Sequence, residues 1–393
     1  MNTFQHPSLS MLARSKMRWA IAVFYFLSGV NFASFTSRIP ELQLHLNLSN
    51  AALGTILVAL PIGLFASMPF VSWAVNVYGT KKILWINGVI YTIMLYFLSW
   101  VNHPWSLFLV LFLFGAARTF FNVSINALSV ELQRHYDRSI VNSFHGVWSA
   151  AALIGAGFSF LLISKNISMH MHYAGVTLLS FGLIFFFIRW MIPMQQPTTT
   201  VGKRFKLPDG PFLLLGLMAF CVMFCEGTMN DWSGVYMDQI ARVTGPLITS
   251  GYVAYLLAML TGRFLGDWLV QKLGMVRLIS ICGGLTFVGF LGVMLSSSYL
   301  FILTGFLIIG FGVSCVVPMI FVMTSKVSTL QAGSVISMVS SVGYLGFLSG
   351  PPLIGYLSQL TNLRYAFSLC LLCAIGILLL LKNFIRTAPK TTF

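Results

Sequence analysis

The stretch Pro211–Gln239, PFLLLGLMAFCVMFCEGTMNDWSGVYMDQ, decides how this chain is read. Its first fifteen residues are apolar or small, and Glu226 then arrives with no acid in the sixteen positions before it. A run of about 20 such residues crosses a roughly 30 Å hydrocarbon layer as a helix. A charged carboxylate at that depth costs about 3 kcal/mol or more, so it is kept where a polar cavity or a partner receives it. The pattern points to a protein that moves something through a membrane.

Composition agrees. Of 393 residues 58% are apolar and 8% charged, against roughly 25% charged in a soluble domain. Twelve apolar stretches recur, at 19–37, 50–75, 83–101, 105–130, 141–163, 172–192, 211–237, 246–269, 276–296, 299–323, 332–358 and 364–382. The net charge of +15 would fit nucleic acid if the basic residues formed one patch. Instead they fall in the gaps between stretches. With a cytoplasmic N-terminus, seventeen of the 23 Lys and Arg lie on the inner side and only Arg38, Lys165, Arg242 and Arg364 on the outer. That asymmetry places both termini on the cytoplasmic side. The charge is thus a topology signal, and the partner it implies is the lipid bilayer, with no nucleic acid.

The run from Trp19 to Phe35 lacks a small-residue cleavage site and reads as an uncleaved first helix. All six cysteines lie in apolar stretches and give no disulfide framework; Cys370 and Cys373, although spaced CxxC, read as inert thiols.

The expected fold is an all-α membrane protein of twelve transmembrane helices in two six-helix halves, residues 1–193 and 211–393. The segment 194–210, MQQPTTTVGKRFKLPDG, is polar and basic without apolar periodicity and reads as a cytoplasmic linker. The halves echo each other. Val77-Tyr78-Gly79-Thr80-Lys81-Lys82 and Lys272-Leu273-Gly274-Met275-Val276-Arg277 each put a Gly turn beside basic residues at equivalent places. Such repetition suits secondary transporters, whose substrate site lies between the repeats near the midplane. Glycines gather in span 5 (Gly146, Gly155, Gly157) and span 11 (Gly343, Gly346, Gly350, Gly355, with Pro351 and Pro352). They are candidate contacts between the halves, or ordinary tight packing.

Arg118, Asn122 and Asn126 recur every fourth residue and share one face of span 4. A guanidinium and two amides should face an aqueous cavity. Arg118 and Glu226 both reach the midplane, which makes them candidates to interact directly or through substrate, or merely to fasten helices. Asn230 shares a face with Glu226, whereas Asp231 is rotated by about 100°. A carboxylate that opens alternately to either side can load and release a proton, which makes Glu226 the first coupling candidate, with His145 and Asp231 behind it. Asn31, Trp148, Trp232, Tyr252 and Tyr255 are further possible cavity liners. Aromatics suit the apolar face of a ring, though most serve packing. Arg263 and Asp267, one turn apart near Lys272 and Arg277, could form a gating charge network or a plain salt bridge. Without HExxH, GxSxG or a P-loop, readings as zinc peptidase, hydrolase or ATP-driven pump lack their residues. His170 and His172 are too few ligands for a metal site. No cofactor, metal or enzymatic activity is expected.

Gly262-Arg263-Phe264-Leu265-Gly266-Asp267-Trp268 followed by Lys272-Leu273-Gly274 resembles the signature loop of the major facilitator superfamily, the resemblance covering essentially the whole chain. In the first-half copy Asn76 stands where an Asp is usual. Ala33-Ser34-Phe35-Thr36-Ser37-Arg38-Ile39-Pro40, Glu226-Gly227-Thr228-Met229-Asn230-Asp231-Trp232 and Gly350-Pro351-Pro352-Leu353-Ile354-Gly355 look more narrowly like a bacterial group containing YbjJ and MosC, near the fucose permeases. The resemblance implies a secondary transporter, acting by alternating access with proton coupling, for a small polar organic solute of the sugar, polyol or inositol kind. Fucose-permease relatives carry acids in helices one and four, where this chain offers Asn31 and Arg118, so coupling would fall to Glu226. The partners expected are the solute and protons, with the carrier a monomer. An uncoupled carrier or exporter, and a non-transporting membrane sensor, are the other readings.

Overall fold

The computed structural model describes residues 10–136, 140–192, 210–327 and 332–387, and within them every regular element is a helix. The expected linker, apart from Gly210, lies outside the described residues. Among the described residues eleven helices are long and apolar enough, by length and composition, to cross a membrane. Spans 1 to 6 are Met11–Ser37, Asn50–Tyr78, Thr80–Trp100, Pro104–Gln133, Ser143–Ser164 and Met169–Trp190. Spans 7 to 10 are Gly210–Gln239, Leu247–Leu273, Met275–Leu295 and Tyr299–Thr324, and span 12 is Leu363–Thr387. Ala332–Leu360, which carries Pro351 and Pro352, supplies span 11. Large apolar side chains such as Leu109, Leu178, Leu300 and Leu379 point outward. A soluble surface would not sustain that, and a lipid-facing one requires it.

Twelve spans match the twelve expected stretches. The largest difference is at the start, where span 1 continues eight residues beyond the apolar run, through Arg18, Lys16 and Arg14. Ser10 ends it by accepting the Ala13 N–H at 3.3 Å, so a cap rather than hydrophobicity sets the boundary.

Proline explains two interruptions. Span 2 breaks between Leu57 and Ala59, and span 10 between Ser314 and Val316. Pro61 and Pro318 sit four residues after Leu57 and Ser314. A proline ring offers no N–H to that carbonyl and crowds it, so each helix yields there.

Packing repeats with the sequence. In the first half span 1 packs on span 5, span 2 on span 4, and span 3 on spans 4 and 6; each pairing reappears six spans later. The echoed turns repeat as well, Gly79 at φ 82° and Gly274 at φ 77°. Positive φ strains any residue with a Cβ, which is why both turns use glycine. The halves meet chiefly through span 2 against span 11 and span 5 against span 8.

Because the spans alternate in direction, Asn50, Gln239 and Gly355 share the end of the bundle far from both termini. That end is shut. Asn50 and Gln239 exchange two amide hydrogen bonds, both 3.0 Å, and the Thr55 and Tyr356 hydroxyls meet at 3.1 Å. Gly54 lies so close to span 11 that an added Cβ would collide with the Pro351 carbonyl and reach the Gly355 Cα at 3.0 Å. Of the glycines expected between the halves, Gly355 serves there and Gly146 faces Phe264. Gly155, Gly343 and Gly346 instead admit helices of their own half, spans 1 and 7.

Candidate functional site

Between the halves lies a cavity of about 230 Å³. Spans 1, 2, 4 and 5 contribute Phe32, Phe35, Pro61, Phe65, Arg118, Asn122 and Trp148; spans 7, 8 and 11 contribute Glu226, Asn230, Asp231, Arg263, Tyr344 and Phe347. Its walls are mainly apolar, aromatic rings and aliphatic side chains together, with four formally charged groups set into them. Glu226 follows Gly210 by sixteen residues and Arg118 follows Pro104 by fourteen. At 1.5 Å per residue both lie roughly 20 to 24 Å along helices of about 45 Å, which is mid-depth.

The partner of Glu226 is Arg263. Its Oε1 lies 3.8 Å from the Arg263 Nη2, and Arg263 Nη1 donates to Ser149 Oγ at 2.8 Å. Arg263 therefore joins an acid of its own half to a hydroxyl of the other. Arg118 and Glu226, expected to interact directly or through substrate, share the cavity but make no direct ion pair, and Arg263 departs from the expected network or plain salt bridge with Asp267. Among the described residues no ion pair links Arg263 to Asp267. Asp267 is exposed. A spacing of four puts two residues near one another on a helix, but a longer reach to a neighbouring helix competes for the same guanidinium. Lys272 lies over the Trp268 ring at 4.3 Å, and Arg277 is exposed.

Arg118 stacks on Phe32, with its guanidinium carbon 4.0 Å from the ring centre. Its Nε is covered and has no hydrogen-bond partner. Asn122, one turn along, accepts from Ser28 Oγ at 2.8 Å. Asp231, which the helix rotation set apart from Glu226, nonetheless lines the same cavity and lies within electrostatic reach of Arg118.

Other expected liners lie elsewhere. Asn31 is wholly buried and ties span 1 to span 6, donating to Ser180 Oγ at 3.2 Å. Trp232, Tyr252 and Tyr255 are buried in the packing behind the cavity wall. Asn126 accepts from the Tyr25 hydroxyl, and His145 sits edge-on to that same ring at 5.4 Å. These two extend the polar face toward the terminal end without lining the cavity. The aromatic wall of Phe32, Phe35, Phe65, Tyr344 and Phe347 was not anticipated. Among 35 phenylalanines none carries a mark that distinguishes a cavity from a helix interface. Among the described residues no cluster of His, Cys, Asp and Glu could hold a metal.

Membrane protein MosC of Rhizobium meliloti is 27% identical over 365 residues, 91% of this chain and 87% of that protein. An uncharacterized MFS-type transporter of Yersinia pestis is 27% identical over 347 residues, 87% of this chain and 89% of that protein. The solved nucleoside transporter NupG aligns with a TM-score of 0.72 at 15% identity, over 94% of this chain and 98% of that one. A bacterial homolog to the human lysosomal transporter Spinster, in an inward-facing and unoccupied conformation, aligns at 0.74 with 14% identity, over 97% of this chain and all of that one. At these identities the structures share the fold alone. The family model matches residues 21–346 and 220–392, and with the twelve-span architecture around a central cavity it establishes that the chain belongs to the Major Facilitator Superfamily of membrane transporters.

Proposed function

We propose that this transporter is a proton-linked secondary carrier for a small polar organic solute, working by alternating access between its two halves. The observation that carries the reading is the position of Glu226. It is at mid-depth, faces the cavity, and meets Arg263, which also reaches Ser149 of the opposite half. Ionised Glu226 holds the guanidinium on its own side. A proton on Glu226 removes the attraction and leaves Arg263 to interact with the other half or with solute, so protonation biases how the halves meet. His145 and Asp231 are secondary candidates to pass the proton, and Asn122, Trp148 and Asn230 to hold solute with Arg118. The sugar, polyol or inositol class that the sequence resemblance implies supports a polar metabolite. The linker 194–210, both termini in the cytoplasm, placement in the inner membrane and a monomeric carrier belong to the same reading.

The test is uptake into proteoliposomes with and without an imposed pH gradient. Glu226→Gln keeps size and hydrogen bonding but cannot release a proton. It should lose gradient-driven accumulation while retaining solute binding. Accumulation that survives in this variant would rule out Glu226 as the coupling site.

A further inference from the structure

We infer that the solute is a small zwitterion, its anionic group held by Arg118 and its cationic group by Asp231. This rests on the reading of the central cavity as the solute site and departs from the sugar, polyol or inositol class that the sequence resemblance implies. Four formal charges line that cavity. Glu226 and Arg263 satisfy one another. Arg118 and Asp231 do not. They come from opposite halves and lie within electrostatic reach, yet among the described residues no ion pair joins them.

Each side has its own chemistry. Arg118 has a covered Nε with no hydrogen-bond partner, and its guanidinium is fixed on the Phe32 face. Beside it the oxygen of Asn122 is engaged by Ser28, which leaves the amide N–H groups as donors. A planar guanidinium with a second donor nearby matches a carboxylate. Across the cavity Asp231 can only accept while ionised, and it suits an ammonium group.

The balance of charge weighs against simpler solutes. A neutral polyol would leave Arg118 and Asp231 each without a direct ion-pair partner. A monoanion would satisfy Arg118 and strand Asp231, and a monocation would do the reverse; an unpaired charge removed from water is costly in each case. A zwitterion compensates both and adds no net charge. The cavity's size, about 230 Å³, lies below the roughly 300 to 1,000 Å³ of pockets for drug-sized ligands, and the aromatic walls favour an apolar or ring-shaped body. An amino acid or a similar amino-carboxylate fits these limits.

The test is thermal stabilisation of the purified full-length protein by the twenty protein amino acids. Phenylethylamine and phenylpropionate are added as the amine-only and acid-only counterparts of phenylalanine, equivalent pairs are made for any other hit, and myo-inositol serves as the neutral probe. At least one zwitterion should stabilise the protein, and its amine-only and acid-only counterparts should bind about tenfold or more weakly, as expected on losing a charged hydrogen bond. Arg118→Gln should erase the preference for the zwitterion over the amine-only compound, and Asp231→Asn its preference over the acid-only compound. A merely structural role would weaken all three compounds alike. If either variant fails to fold, the comparison in the unaltered protein still decides. The inference is overturned if no zwitterion stabilises the protein, or if myo-inositol or a singly charged compound does so equally well. Gradient-driven uptake of such a compound would leave the transport reading standing while this one falls.

Discussion

Arg263 stands between two halves, 3.8 Å from Glu226 on span 7 and 2.8 Å from Ser149 on span 5. One guanidinium cannot be moved toward either neighbour without affecting the other, so a change of charge at Glu226 is felt at the boundary between the halves.

Glu226→Gln and Arg263→Gln should therefore be strongly non-additive. A double-mutant cycle on solute binding or thermal stability should give a coupling of about 1 to 3 kcal/mol, the range of contacting charged pairs. The cycle of Glu226→Gln with Arg118→Gln should be nearly additive, within about 0.5 kcal/mol. Coupling that is larger for Arg118 than for Arg263 would contradict the pairing seen in the structure.

A side chain at Gly54 should act on conformation. Gly54→Val must displace the Pro351 carbonyl or separate spans 2 and 11, at a cost of about 1 to 3 kcal/mol to the shut arrangement. A single cysteine in place of Asn50, which is held against Gln239, should then react faster with a water-soluble maleimide in the Gly54→Val background. An unchanged rate would mean that the far end does not depend on this approach.

Pro61 interrupts span 2 where it lines the cavity. Pro61→Ala restores a donor for the Leu57 carbonyl and should let the helix run through. Stability should change by no more than about 1 kcal/mol, whereas transport should fall by about tenfold where bending at this break carries the change of access. Stopped-flow or filter uptake together with a melting curve separates the two effects, and wild-type uptake in this variant would show that the break is dispensable.

Both termini are expected in the cytoplasm from the distribution of Lys and Arg. Alkaline phosphatase fused after Lys390, or inserted near Thr199, should remain inactive, and a fluorescent protein at the same places should fold and fluoresce. Active phosphatase at either site would invert the membrane orientation.

Span number and most span limits were legible because apolar length is a one-dimensional property, and the chain states it directly. Glu226 and Arg118 were legible for the same reason, since depth along a helix is counted in residues. Which charges meet was not. Spacing gives the angle of a residue about its own helix but not which neighbour that face meets, so it points Arg263 to Asp267 one turn along rather than to Glu226 on the neighbouring helix. Trp232, Tyr252 and Tyr255 show a second limit. A polar-tipped ring serves equally in a cavity wall and in the packing behind it, and only tertiary structure distinguishes these places.

The closest approach at the far end is made by backbone alone, Gly54 against Pro351 and Gly355, and the hydrogen bonds beside it join neutral amides and hydroxyls. A seal without formal charges is indifferent to ionic strength, because counter-ions have nothing to screen. Salt should alter how solute reaches the cavity and how tightly it is held, but not how firmly that end stays shut.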